Sequence, residues 1–294
     1  MGGFATARRW CARAACLVGA LCLPAAALAH ADVTELLQRA QADAAAHPRD
    51  PEAHLQYARA LQLGGDVDAA LAELDIAARR GADADDVDAA RGAVLLDAQR
   101  PQAALREFDR LLQRRPTAHA VRFQRGRAYL ALGDAAQAAR DFEAALTALP
   151  EPQPEQVLLW RDALLRLGRP AEAIGALDAG MARLGSIVAL QMAAVELEVQ
   201  DGRVDAAVAR LDALLAAGGR NPAWLAQRGD ILAAAGRLGA ARDSYQQALD
   251  VIDTHASARR AHALNDLRDR LAAALTSPPR GSAPCAAPPA RSSP

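Results

Sequence analysis

The chain has 294 residues, enough for two ordinary domains or one extended array, and its 52% hydrophobic content is sufficient for a packed core. Only 3% of the residues are aromatic, which favours closely packed, alanine-rich helices over a β-sandwich. All 34 basic residues are arginine, against 35 acidic residues, and the formal net charge of −1 excludes the strongly basic field that nucleic-acid binding requires.

Residues 1–29 have the pattern of a secretory signal peptide. Three arginines precede an apolar run at 14–23, and Ala27-Leu28-Ala29 has the small residues of a cleavage site. The sequence therefore predicts an exported chain, periplasmic or secreted by the Sec route, that begins near His30 or Asp32. The alternative is an uncleaved leader that anchors the chain in the inner membrane.

Cleavage of this leader would change the charge and the cysteine content. Three arginines and no acids leave, so the formal net charge falls from −1 to −4. Three of the four cysteines leave as well, and only Cys285 remains. The mature fold is therefore expected to have no internal disulfide and no integral membrane span. Cys285 is a reactive thiol, an intermolecular disulfide site or a residue without a function.

The first element of the mature chain, residues 30–50, is predicted to be a single helix. One of its faces is apolar, with Val33, Leu36, Leu37, Ala40 and Ala44 at helical spacing. A lone apolar face must be buried against a neighbour, so this helix is expected to cap the structure that follows.

From residue 51 onwards the sequence repeats with a period of 34, and one residue is inserted near 151–154. A small residue recurs at Ala58, Gly92, Gly126, Val195 and Gly229, with Arg161 as the exception. A turn position holds Gly65, Gln99, Gly133, Gly168, Gly202 and Gly236. An alanine recurs at Ala70, Ala104, Ala138, Ala173, Ala207 and Ala241. A large residue follows it at Leu74, Phe108, Phe142, Leu177, Leu211 and Tyr245.

Each copy is predicted to form two helices around the turn position. In the third copy the helices are expected at about 118–132 and 136–149, with Gly133 in the turn. Asp66 and Asp134 follow turn glycines and can cap the amides of the next helix. The fold is therefore predicted to be all-α.

The third copy resembles the tetratricopeptide repeat through Gly126, Tyr129, Ala138, Phe142 and Pro150. Arg122 stands where that family favours tryptophan. The resemblance covers six copies, at 51–84, 85–118, 119–152, 154–187, 188–221 and 222–255. It implies a right-handed superhelical solenoid of antiparallel helix pairs with a capping helix at each end.

After the last copy, residues 256–275 are predicted to form the C-terminal capping helix. Its apolar stripe consists of Ala261, Leu264, Leu267, Leu271 and Leu275. Residues 276–294 are rich in proline, alanine and serine, cannot bury a core, and are expected to be disordered.

The sequence offers no catalytic or metal-binding motif. No two of the six histidines have the spacing of three or four that places two ligands on one helix face. The nucleophile elbow, the phosphate-binding loop and the HExxH motif are all absent from the sequence. We therefore expect no enzyme activity, no cofactor and no metal.

The resemblance implies that the first helices line a concave groove that binds a protein segment. The predicted groove residues are Gln56, Arg59, Phe123, Gln124, Arg127, Asp162, Glu196 and Asp230. One row among them is basic at Arg59 and Arg127 and acidic from Asp162 onwards. One hypothesis is that the two arginines receive an acidic partner segment. The alternative is that this row is only a solvated face.

The sequence thus predicts a non-enzymatic interaction scaffold or adaptor of the bacterial cell envelope. One alternative is a component of an exopolysaccharide secretion or outer-membrane assembly complex. A second alternative is the regulatory subunit of a periplasmic enzyme. The identity of the protein partner and the oligomeric state are left open.

Overall fold

The computed structural model describes residues 23–255 and 258–276. The predicted leader up to residue 22, the tail from 277 and Cys285 lie outside the described residues. The described part contains fourteen α-helices and no strand. They are α1 Leu23–Ala46, α2 Pro51–Gly64, α3 Val67–Arg79, α4 Ala84–Asp97, α5 Pro101–Arg114, α6 His119–Ala131, α7 Ala135–Ala148, α8 Pro154–Arg166, α9 Pro170–Leu184, α10 Val188–Gln200, α11 Val204–Gly218, α12 Pro222–Ala234, α13 Leu238–His255 and α14 Ala258–Thr276.

The chain divides after Pro150 into two compact units. In the first unit, α2 packs on α3, α4 on α5 and α6 on α7, and each pair contacts the next. In the second unit the pairs are α8 with α9, α10 with α11 and α12 with α13. The prediction of an all-α solenoid with two helices per copy is confirmed.

A terminal helix covers the free end of each unit. Helix α1 packs on α2, where Leu37 contacts the core of the first unit and Ala44 is buried. Helix α14 packs on α13, and Leu271 is buried in the core of the second unit. These two helices bury faces that a terminal repeat would otherwise expose to water.

The turn inside each pair is built from a residue with positive φ. Glycine fills this position at Gly65 and Gly133, with φ near +80°. Gln99 adopts the same left-handed conformation, with φ of 58°. The aspartate caps predicted after the turns are confirmed, since Asp66 accepts a hydrogen bond from the amide of Ala69 and Asp134 accepts one from that of Gln137.

In three of the six pairs the core combines a large aromatic ring on the second helix with a glycine on the first. In the first unit Phe142 is fully buried against Gly126, where an added Cβ would lie 2.8 Å from the ring. In the second unit Tyr245 lies against Gly229 in the same way. The glycines therefore allow the two helices of a pair to approach closely.

Ion pairs join consecutive copies at one recurrent position, which we call the inter-repeat pair. An arginine in the first helix of one copy contacts an aspartate in the second helix of the copy before it. The pairs are Arg91 with Asp75 at 2.5 Å, Arg125 with Asp109 at 2.8 Å and Arg228 with Asp212 at 2.7 Å. The arginine side chains are less than one quarter exposed, so water screens these ion pairs less than it screens an ion pair on the surface.

Candidate functional site

A cavity of about 530 Å³ lies on the first-helix side of the second unit. Its lining comes from α8, α10 and α12, the first helices of three successive pairs. Leu158, Met192, Val199 and Ile231 make much of this lining apolar. We call this cavity the second-unit groove.

The sequence of α10 explains why this face is open. Ala189, Met192, Ala193 and Glu196 recur at intervals of three and four, so they share one side of the helix. The two alanines leave room that larger side chains would fill. The neighbouring Val195 is fully buried on the other side of the helix. Packing therefore holds α10 in place while its groove side stays open.

The groove has two charged side chains, and only one of them has a partner of opposite charge. The guanidinium of Arg161 donates to one oxygen of Asp162, with distances of 2.9 and 2.6 Å. Glu196 is exposed, and its one hydrogen bond among the described residues is a long one of 3.4 Å from the side-chain amide of Gln200. Among the described residues, no cation lies within ion-pair distance of Glu196. The groove therefore has an apolar lining and one uncompensated negative charge.

The three groove residues predicted in the second unit have different surroundings. Glu196 lines the groove, and Asp162 lies beside it through its bond with Arg161. Asp230 accepts a hydrogen bond from the Tyr245 hydroxyl at 2.9 Å and pairs with Arg270 of α14 at 2.9 Å. Burial and the bond to Asp230 raise the pKa of Tyr245 to about 12. The ion pair with Arg270 thus links Asp230 of α12 to the C-terminal helix α14.

In the first unit, Gln56 and Arg59 lie on α2 and both reach the same carboxylate. Gln56 donates to Glu52 at 2.5 Å, and Arg59 approaches Glu52 at 3.9 Å. Both contacts are within one helix, and the arginine is about half exposed. These side chains therefore form a local polar cluster on the first helix.

Gln124 and Arg127 lie on α6 and belong to a network across three first helices. Arg127 donates to the Gln124 carbonyl oxygen at 2.7 Å and lies 3.8 Å from Asp97 of α4. Asp97 also accepts a hydrogen bond of 2.6 Å from Gln62 of α2. The charge of Arg127 is thus partly offset within the chain. That Arg59 and Arg127 receive an acidic partner segment stays a prediction.

Phe123, which the sequence analysis placed with the groove residues, lies in the interior of the first unit. Its side chain is 5% exposed, and its ring centre is 4.9 Å from that of Phe142. Phe123 packs on the Phe142 ring of α7 and presents little surface to a bound segment. The next residue, Gln124, belongs to the polar network through its bond with Arg127.

Sequence reasoning missed a row of polar residues inside the helix pairs. This interior polar row runs through Glu73, Glu107, Asp141, Arg210 and Ser244, all of which are at one repeat position of the second helix. Each has a partner: His54 at 2.7 Å for Glu73, Arg125 at 2.8 Å for Asp141, Glu198 at 2.9 Å for Arg210, Arg228 at 2.6 Å for Ser244, and Arg110 for Glu107. Comparison of the copies at the 34-residue period would have revealed this row, because its members share one repeat position.

The surroundings of this row shift the pKa values of its members. Hydrogen bonds to Asp141 raise the pKa of Arg125 despite the opposing effect of burial. Burial alone would lower the pKa of Arg210, but the bonds to Glu198 and Asp178 raise it overall. Burial raises the pKa of Glu107 against the influence of Arg110. Both arginines therefore keep their charge inside the protein.

The part of the chain that the structure describes contains neither a metal-binding cluster nor a membrane-spanning helix. In residues 23–255 and 258–276, no three or more His, Cys, Asp or Glu residues are grouped as a metal site would require. Within the same ranges, no helix combines the length and the apolar character needed to cross a bilayer.

The comparison with solved structures gives the same architecture. The C-terminal part of a TPR repeat-containing protein from Cytophaga hutchinsonii matches with a TM-score of 0.61 and 14% identity, covering 84% of this chain and 95% of that one. The pilF structure from Pseudomonas aeruginosa matches with a TM-score of 0.50 and 16% identity, covering 74% of this chain and 97% of that one. At these identities the likeness shows the fold alone.

The sequence comparisons point to one family. No curated protein matches the chain significantly by sequence. Two family models do match, the tetratricopeptide repeat-like domain over residues 173–269 and the tetratricopeptide repeat over residues 89–153. Together they cover more than half of the chain and fall in both units. With the paired helices and the recurrent small residues, they show that the chain belongs to the tetratricopeptide-repeat family.

Proposed function

We propose that the chain is a non-enzymatic scaffold that holds a protein segment in the second-unit groove. The tetratricopeptide-repeat fold supports protein–protein interaction in general. The observation that carries the proposal for this chain is the apolar cavity across α8, α10 and α12. Burying one large apolar side chain there would contribute about 1.5–3 kcal/mol, so stable association needs several such contacts.

We further propose that the scaffold acts in the bacterial cell envelope. The support is the signal-peptide pattern of residues 1–29, with its arginines, its apolar run and its cleavage site. Either a secretion complex for exopolysaccharide or an outer-membrane assembly complex would fit such a location. A regulatory subunit of a periplasmic enzyme would fit it as well.

A photo-crosslinking amino acid at two alanine positions would test groove binding. Ala189 is exposed and lines the groove, whereas Ala216 is exposed on α11 and does not line it. We expect a partner in the envelope to crosslink from position 189 and not from position 216, and mass spectrometry would identify it. Equal crosslinking from both positions, or none from position 189, would contradict the proposal.

Substitution of the same alanines gives a matched functional control. Ala189→Trp should fill the groove and lower partner capture by about tenfold or more, the loss expected when one well-buried anchor is displaced. Ala216→Trp adds the same side chain outside the groove and should leave capture unchanged. The envelope location has its own test, since mass spectrometry of the exported chain should find its first residue near His30 or Asp32.

A further inference from the structure

We infer that the segment bound in the second-unit groove joins a bulky apolar side chain to a nearby lysine or arginine. This inference rests on the proposed function, because it names the chemistry of the partner for the same groove. The geometry points to it through two adjoining features of α10, the apolar position of Met192 and the carboxylate of Glu196.

The apolar part of the groove suits a large apolar side chain on the partner. Met192 lines the groove together with Leu158 of α8 and Ile231 of α12, and its thioether adapts to side chains of different shape. Val199, about two turns further along α10, is 38% exposed, which leaves apolar surface to cover. Leucine, isoleucine, methionine or phenylalanine on the partner would cover this surface.

The charged part of the groove selects a cation. The charge of Arg161 is offset by Asp162, and that of Asp230 by Arg270 of α14. Within the part of the chain that the structure describes, Glu196 has only the neutral side-chain amide of Gln200 as a hydrogen-bond partner. A lysine or arginine on the partner would form an ion pair with Glu196, and an acidic side chain there would be repelled.

The spacing of the two features fixes the spacing on the partner. Met192 and Glu196 are one helical turn apart, a rise of about 6 Å. Residues two apart in an extended chain lie on one side and are separated by about 6.6 Å. Residues one turn apart on a helix have the same separation as those of α10. The cation should therefore stand two residues from the apolar anchor in an extended partner, or four in a helical one.

The chain's own tail meets only half of this requirement. Residues 277–294 contain two arginines and no acid, so their charge is suitable. They contain no leucine, isoleucine, valine, methionine or aromatic residue, so they offer no bulky anchor. The partner is therefore inferred to be another protein.

Selection from a random twelve-residue peptide library on the full exported chain would test this inference. We expect enrichment of peptides with a bulky apolar residue two or four positions from lysine or arginine. Selection on Glu196→Arg should lose the basic residue and keep the apolar one. Asp243→Arg makes the same charge change at an exposed position of α13 outside the groove, and should enrich the same peptides as the unchanged chain.

The enriched peptide, once synthesised, gives a quantitative measurement. Its dissociation constant should rise by about three- to tenfold in Glu196→Arg, and the difference should shrink at high salt. Circular dichroism should show the same thermal unfolding for both arginine variants, because both replaced carboxylates are exposed.

Three outcomes would overturn the inference, and they separate it from the proposed function. Peptides that bind the groove, as shown by their loss in Ala189→Trp, but contain no basic residue would refute the partner chemistry alone. Absence of any peptide sensitive to Ala189→Trp would refute the groove as a binding site as well. Tighter peptide binding after deletion of residues 277–294 would show that the tail occupies the groove.

Discussion

In the first unit the polar side chains of the first helices bond to one another, whereas in the second unit they border an open apolar cavity. Asp97 links α2, α4 and α6 through Gln62 and Arg127. At the repeat position of Arg127 the second unit has Glu196, which lines the groove with Met192 and has no cation within ion-pair distance among the described residues. The same repeat thus supports two different surfaces, because packing constrains the alanine and glycine rows and leaves the adjoining row free to vary.

The interiors of the two units differ in the order of their charges. In the first unit Arg125 lies on the first helix of its pair and Asp141 on the second. In the second unit Glu198 lies on the first helix and Arg210 on the second. Asp141 and Arg210 occupy the same repeat position, but Glu198 lies one helical turn beyond the position equivalent to Arg125, which is Ala194 in that copy. The interior polar row therefore requires an oppositely charged partner within reach on the first helix and does not require a particular residue.

The largest effect is expected when one member of such a pair is removed. Arg210→Met would leave Glu198, which is 1% exposed, without its cation, and should lower the free energy of unfolding by about 3–5 kcal/mol. Arg125→Met should act similarly on Asp141. Urea denaturation of each variant would measure the loss.

The double variant Glu198→Met/Arg210→Met provides the control for this prediction. It removes both charges and should recover most of the lost stability, since matched apolar groups avoid the cost of an unpaired charge. If the double variant were as unstable as Arg210→Met, simple loss of packing would explain the effect and the charge comparison would fail.

A smaller effect is expected from glycine-to-alanine substitution, with opposite signs at Gly126 in the first unit and at Gly175 in the second. Gly126→Ala places a methyl group 2.8 Å from the Phe142 ring, and overpacking of about 1–3 kcal/mol should outweigh the gain in helix propensity of about 1 kcal/mol. Gly175 of α9 has open space around its Cα, so Gly175→Ala should stabilise by about 0.5–1 kcal/mol. Thermal unfolding would show whether the signs differ.

A titration of Tyr245 would test the role assigned to Asp230. The folded state holds the tyrosine proton more tightly than the unfolded chain, so this contribution to stability is complete below pH 10 and is lost between pH 10 and about 12. Asp230→Asn should lower the pKa of Tyr245 from about 12 towards the ordinary value of tyrosine. Absorbance of the phenolate in a Tyr57→Phe/Tyr129→Phe background would report it, and an unchanged pKa would contradict the hydrogen bond.

The smallest effect is expected at the arginines of the first unit. Because Glu52 and Asp97 already partly offset Arg59 and Arg127, reversing both charges should change the affinity for a captured partner by about two- to fivefold. Titration calorimetry at two salt concentrations would measure it. A larger, salt-sensitive loss would favour an acidic partner segment bound by the first unit.

The fold could be predicted from the sequence because its determinants are periodic. The alanine of the Ala138 row and the large residue of the Phe142 row recur in every copy, so both helices of each pair could be located. Gln99 shows the limit of such a prediction. Glutamine rarely adopts a positive φ, and only the place of Gln99 in the glycine row indicates one.

The site was predictable only in part, because the repeat position of a residue shows which helix face it is on but not which side chains it pairs with. Glu196 was found from its row, but whether its charge is compensated depends on the side chains of α8 and α12. Asp230 and Arg127 belong to the same row, yet they are paired with Arg270 and Asp97. Phe123 lies next to a groove residue in sequence and points into the core instead.

The inter-repeat pairs bear on how such an array changes in length. Each arginine reaches back to the preceding copy, as Arg91 does to Asp75 and Arg125 does to Asp109. The second copy, residues 85–118, carries both halves of the device, with Arg91 for its predecessor and Asp109 for its successor. Duplication of this whole copy would leave no charge unpaired at its junctions, whereas a partial insertion would break one of the pairs. This copy can thus be duplicated without any compensating substitution at its junctions.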